Sequence, residues 1–358
     1  MAYATFNKPS LHFNTKLYTG NGTAIGSGGN AITGVGHQPD FVWIKDRSAG
    51  NNHNLYDVLR GGQKGLQTSN NGAEYTNTEV LNSFNSDGFT VGDSGGVNTN
   101  SNNYVSWNWK AGGAGSANTD GNVNSTVSVN TTAGFSIVSW ASNGQEQSIG
   151  HGLGVTPKMI IMKTRGTGDG WIVGHEDAGW ANYMVLNGST AKISDDRMFS
   201  PSGGSDPTNS LWWTNSTAWV TGGSTDCIAY CFTEKKGYSK FGKYMGNGND
   251  DGPFIYTGFK PAWVIIKSHI GTDNWIIYDN KRNGSNGQGS DAGNARLYAN
   301  TNSVEDLTAD QISFHSNGFA PTKDYSSINY NDGNYIYMAF AEEPLVANVG
   351  ESIPATAR

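Results

Sequence analysis

The stretch Gln38–Lys45, "QPDFVWIK", returns as "TPKMIIMK" at Thr156–Lys163 and as "KPAWVIIK" at Lys260–Lys267. Each time a proline, one free residue, four apolar residues and a lysine follow one another. A proline at the first position of a strand costs no ladder hydrogen bond, and four apolar residues in a row fit a strand covered on both faces. The recurrence asks whether the chain is an internal repeat, which would decide the whole fold.

Other landmarks recur in the same order around each copy. An aromatic strand and an Asn-Gly turn come first: "LYTGNG" at Leu17–Gly22, "SWASNG" at Ser139–Gly144 and "KYMGNG" at Lys243–Gly248. Asn-Gly is a strong hairpin signal because both residues tolerate positive φ. After the proline strand stand "NLYDVLR" in the first copy and "NWIIYDNKR" in the third, which share Tyr-Asp-x-x-Arg. This places Asp57 with Arg60 and Asp279 with Arg282; the second copy reads "GWIVGHED" and lacks the arginine. "SDGFTVG" and "SNGFAPT" follow in copies one and three, and each copy closes on a strand, "YVSWNWK", "CIAYCF" or "YIYMAF".

These observations predict an all-β chain of three tandem homologous antiparallel β-sandwich, jelly-roll-like units of seven or eight strands each. The expected boundaries are an N-terminal arm 1–16, unit one 17–112, a Gly/Asn/Ser/Thr-rich linker 113–134, unit two 135–236, unit three 237–344 and a tail 345–358. No segment has a sustained helical period, although "SVEDLTADQ" at 303–311 admits a turn or two of helix. Along the closing strands the large residues (Val105, Trp107, Trp109; Ile228, Tyr230, Phe232; Ile336, Met338, Phe340) share one face. That face is expected in each unit's own core, with the smaller face against another strand layer or another unit. Closure of the three units around a pseudo-threefold axis, small faces inward, is the matching expectation.

Composition narrows the function. Aromatic residues make up 11% of the chain, 49 residues are glycine and 15% are charged, with a net charge of −7. That suits short strands joined by many turns, and the absence of a basic run speaks against nucleic acid. Apolar runs such as "MIIM" are too short to span a membrane, and the first residues lack the apolar core of a secretory signal. Cys227 and Cys231 would lie about 13 Å apart on one strand face, whereas a disulfide needs about 7 Å, so both are expected as buried free thiols. No His or Cys cluster has metal-ligand spacing, and no cofactor or metal is expected.

Among candidate sites, Lys45, Lys163 and Lys267 recur at one position. They are read as strand-end lysines that pair with a carboxylate such as Asp57 or Asp279, or that reach to water. Pro39, Pro157 and Pro261, with the Asp57–Arg60 and Asp279–Arg282 pairs, are read as structural. "HEDAGW" at His175–Trp180 is acid-rich without a partner motif, and no hydrolase elbow, P-loop or zinc-protease motif occurs. No enzyme activity is expected. The loops Asn247–Gly252 and Asp279–Gly293 are oxygen-rich but out of register for an EF-hand. The second copy adds Trp180, Trp212, Trp213 and Trp219. Neighbours along a strand face opposite ways, so Trp180, Trp212 and Trp213 form the candidate ligand-binding patch, set against core filling.

The landmarks "QPDFVWIKDRS", "LYDVLRG", "YVSWNWKAGG", "IGHGLG", "DGPFIYTGFKPAWVIIK" and "YIYMAFAEEP" resemble a domain of unknown function carried by virion proteins of marine bacteriophages that infect abundant ocean bacteria. The resemblance runs from Leu17 to Pro344. It implies a particle-borne structural role, as tail fibre or spike, in a virion assembled in the host cytoplasm. The alternatives are a capsid decoration or head-fibre protein, and a free carbohydrate-binding protein or sandwich glycanase. Expected partners are other virion proteins, the chain itself as a homotrimer, and a host surface glycan or protein, without nucleic acid or membrane insertion.

Overall fold

The computed structural model describes residues 6, 8–201, 204–214, 224–282, 295–307 and 311–344. Three large antiparallel sheets dominate. The first runs, in spatial order, Phe13–Thr19, Asn103–Trp109, Phe41–Asp46, Asn54–Asp57, Lys64–Gln67 and Tyr75–Thr76. The second has Phe135–Ala141, Asp226–Phe232, Met159–Thr164, Ile172–His175 and Asn182–Val185 in the same succession, and the third has Ser239–Met245, Asn334–Pro344, Phe259–Ser268, Ile276–Asp279 and Leu297–Tyr298. In each, the closing strand lies between the opening strand and the proline strand. Register agrees as well: Phe41, Met159 and Trp263, each two residues past its proline, pair with Trp109, Phe232 and Phe340.

Each large sheet is covered by a small one. These are Asn30–Thr33 with Gly88–Val91 and Leu81–Asn85, Gln147–Gly150 with Leu211–Thr214, and Ile255–Tyr256 with Gly318–Pro321 and Ile312–His315. The Asn-Gly turns are corners rather than hairpins, because the chain there leaves a large sheet for a small one. Their glycines take φ of 64°, 74° and 64°, the left-handed region the corner requires.

The small faces meet another strand layer, one of the two alternatives expected, but the closure is reversed: the large faces, not the small ones, look inward. The large side chains of all three closing strands meet in one central core. Phe41 stacks on Tyr230 at 4.2 Å, Phe232 meets Phe340 at 6.1 Å, and Trp109 meets Trp263 edge-on at 5.6 Å. The smaller faces, with Cys227, Ala229 and Cys231 or Tyr337 and Ala339, pack under the outer sheets. The reason is volume. Three sheets facing one another leave a wide space that only large rings fill, whereas each outer sheet brings its own bulk, such as Phe89, Trp212 or Phe319.

Several boundaries move. The expected linker forms two strands, Ser116–Asn118 and Ser125–Asn130, which extend the second large sheet. The expected arm is folded from Pro9 onward, and Phe6 is buried against Tyr238 at 4.3 Å. Residues 303–307 carry no helix; Asp306 bridges to Arg296, and 308–310 lie outside the described residues. The described α-helices are instead the four-residue Gly95–Asn98 and Ser326–Asn329. The tail after Pro344 lies outside the described residues.

Candidate functional site

The chemically dense places are the seams between the large sheets. At each seam the same backbone bond recurs: Glu74 N–H donates to Arg165 O at 2.7 Å, Lys192 N–H to His269 O at 2.9 Å, and Glu305 N–H to Arg47 O at 3.2 Å. The first sheet thus meets the second, the second the third, and the third the first. Side chains follow the same circuit. Trp171 Nε1 donates to Gln67 O at 2.8 Å, and Trp275 Nε1 to Val185 O at 3.0 Å. Tyr230 donates to Asp57 at 2.8 Å, and Trp107 Nε1 to Asp279 at 3.0 Å.

Asp57 and Asp279 are therefore seam residues as well as partners of their arginines. Arg60 Nε reaches Asp57 at 2.5 Å and Arg282 Nε reaches Asp279 at 2.6 Å, all four side chains being fully buried. Each guanidinium also caps its own meander, Arg60 at Leu55 O and Arg282 at Ile277 O, both 2.9 Å. Glu74 joins Arg60 to Arg165 of the next sheet, and Glu305 joins Arg282 to Arg47. Burial works against the charge on Glu74, but the Arg165 and Arg60 guanidiniums hold its carboxyl below the ordinary value.

The recurrent lysines reach neither a carboxylate nor water, contrary to expectation. Lys45, Lys163 and Lys267 are buried and donate to backbone carbonyls. Each holds the carbonyl four residues on: Ala49 at 3.2 Å, Thr167 at 3.0 Å, Gly271 at 3.1 Å. Lys45 and Lys267 also reach across a seam, to Asn302 O at 3.4 Å and Ser189 O at 3.2 Å. Burial pushes each of the three ammonium groups down to about 8. Each ammonium thus ties down its own turn, and two of them tie a neighbouring sheet's loop as well.

The seam between the second and third sheets departs from the other two. His175 stands in the register of Asp57 and Asp279, paired with Met159 as those are with Phe41 and Trp263. Its Nε2 lies 3.3 Å from Tyr337 O. His269 replaces the seam arginine and Lys192 the seam glutamate, so this seam has no counterpart of the Arg165–Glu74 pair. Burial pushes both imidazoles down to about 4, with Lys192 adding to the effect at His269 and Asp177 opposing it at His175.

A cleft of about 550 Å³ opens at the first seam, lined by Lys64, Glu74, Ser142, Arg165, Thr225 and Asp226 among others. Its charges are already paired: Arg165 with Glu74 at 2.9 Å and with Asp226 at 3.6 Å. Among the described residues no group of three His, Cys, Asp or Glu could hold a metal ion.

The proposed tryptophan patch is not a surface. Trp180 packs against Phe199 at 5.5 Å, and Trp212 is fully buried against Trp140 at 5.5 Å. Register explains Trp212: it pairs with Ile149 as Phe89 pairs with Ile32 and Phe319 with Ile255, so it is the core residue of its outer sheet. Only Trp213 of the three points outward, half-buried; Trp219 and residues 283–294 of the third-copy loop lie outside the described residues. Cys227 and Cys231 are both buried thiols outside any disulfide, and burial pushes the Cys227 thiol up to about 12.

No curated protein and no solved structure matches the chain. The DUF7483 profile, described as a domain of unknown function, matches residues 8–344, a range that takes in all three large sheets, their covers and the seams between them. The chain belongs to the DUF7483 family.

Proposed function

We propose that this protein is a bacteriophage virion structural protein, a tail fibre or spike module that contacts the host surface. The observation that carries the reading is the closed circuit of seams. A body whose three sheets meet cyclically, with repeated strand order and register, matches the threefold symmetry on which virion appendages are built. We read the three sheets with their covers as copies of one sandwich unit. The resemblance of the recurrent landmarks to marine phage virion proteins supports the same role. The seam charges lie in tight structural pairs, which suits a scaffold more than a catalyst.

The test is antibody labelling of purified virions seen by electron microscopy. Label at the tail is the expected result, and virions without label overturn the particle role. A second reading, capsid decoration, is favoured by the closure within one chain, since such a body can sit on a threefold site as a monomer. Label over the head, together with a monomer by native mass spectrometry, selects it.

A further inference from the structure

The outer sheets differ in what they show to solvent. In the first, the outward positions are small or polar: Ala31, Thr33, Asn85 and Thr90, with Asn85 Nδ2 donating to Thr90 Oγ1 at 2.9 Å. In the third, register puts Phe254 where Ala31 stands, Tyr256 where Thr33 stands and His315 where Asn85 stands. Phe254 is 50% exposed and Tyr256 58%. The equivalent sheet does without rings here, so the fold does not need them.

The rings are arranged around one glycine. Tyr256, Gly318 and His315 lie in register across the three strands. A Cβ on Gly318 would meet Phe254 Cζ at 2.8 Å, so the phenyl ring lies across the space that glycine leaves. Phe254 then meets the His315 imidazole edge-on at 5.6 Å. The other outward residues of the sheet are Ser313 and Ala320. On the adjoining loops, Asp250 and Lys323 pair with each other at 3.3 Å.

We propose that this face binds the pyranose rings of a neutral polysaccharide. A pyranose offers a flat patch of C–H groups that packs on an aromatic face, and hydroxyls at its edge that need polar partners. Phe254, on the extended lead-in, and Tyr256, two residues on in the strand, supply two rings about 7 Å apart at their Cβ atoms. The Tyr256 hydroxyl, Ser313 and His315 supply the polar edge. A protein-docking patch would add exposed aliphatic side chains, and the large hydrophobic residues exposed on these three strands and the Phe254 lead-in are the two rings alone. Among the described residues of the face there is no unpaired lysine or arginine for an acidic polysaccharide to seek.

Native gel electrophoresis in gels carrying laminarin, xylan, mannan or agarose tests this; at net charge −7 the protein migrates readily. Retardation in at least one gel is expected. Phe254→Ala with Tyr256→Ala should weaken it at least tenfold, while Trp213→Ala on the second outer sheet should leave it within about twofold. Phe254→Leu with Tyr256→Leu keeps apolar bulk and removes the π face; it too should lose retardation, with melting as in the parent. Retardation in no gel overturns the proposal, as does retardation that survives the leucine pair, which would indicate apolar docking instead. The assay uses purified protein alone, so its failure leaves the virion reading, tested by labelling, untouched.

Discussion

Asp57 shows how much one side chain is asked to do. It accepts from Arg60 within its own sheet, from Tyr230 of the next, and from the Leu59 and Arg60 amides at 3.0 Å. Asp57→Ala would leave the buried Arg60 guanidinium with only Glu74, which it shares with Arg165, and the expected loss is about 3–5 kcal/mol in urea denaturation. Trp213→Ala, on a half-buried outward ring, should cost far less. A loss for Asp57→Ala no greater than for Trp213→Ala would show that the seam does not depend on the carboxylate. The two cysteines give a second residue-scale test. Burial raises both thiols, so neither should react with a thiol reagent at pH 8 in the native protein, and both should react in denaturant. Reaction of either in the folded state would contradict their placement beneath the outer sheet.

At the scale of elements, the seam between the second and third sheets is one place where acid should act. An ordinary histidine titrates near 6.5, whereas His175 and His269 are pushed down to about 4 in the folded chain. Between those values the unfolded chain holds more protons, so stability falls as pH drops through that window. His269→Arg with Lys192→Glu would install here the ion pair that the other seams carry. The double variant should gain on the order of 1 kcal/mol at pH 7. It should also lose less stability than the parent between pH 7 and pH 5, as read from urea midpoints. An identical pH dependence in both proteins would remove His269 from the acid response.

At the scale of the molecule, the three large sheets share one core instead of three separate ones. No sheet can bury its inner face alone, since Trp107, Tyr230 and Met338 all point into the same space. Calorimetry should therefore show one cooperative transition, with calorimetric and van't Hoff enthalpies in agreement. A chain cut to residues 113–344 should fail to fold, because Tyr230 and Trp263 would lose their partners Phe41 and Trp109. Three separable transitions, or a stable folded fragment, would mean that the units are independent beads.

The sequence by itself determined the β class, the equivalent placing of Pro39, Pro157 and Pro261 two residues before the paired Phe41, Met159 and Trp263, and the burial of the thiols outside any disulfide. All of these rest on period-two patterning and local turn chemistry, which the chain writes within ten residues or so. The Asp57–Arg60 and Asp279–Arg282 pairs were legible too, as residues three apart. Tertiary structure alone decided which face of each closing strand looks inward, because alternation separates two faces without saying what lies opposite either. It also decided that Trp212 is core and that Phe254 and Tyr256 are surface. A tryptophan pair reads alike in both settings until the register of its partner strand is known. The same holds for the three lysines: their carbonyl partners sit in turns and loops, two of them across a seam, where only the closed circuit of sheets brings them within reach.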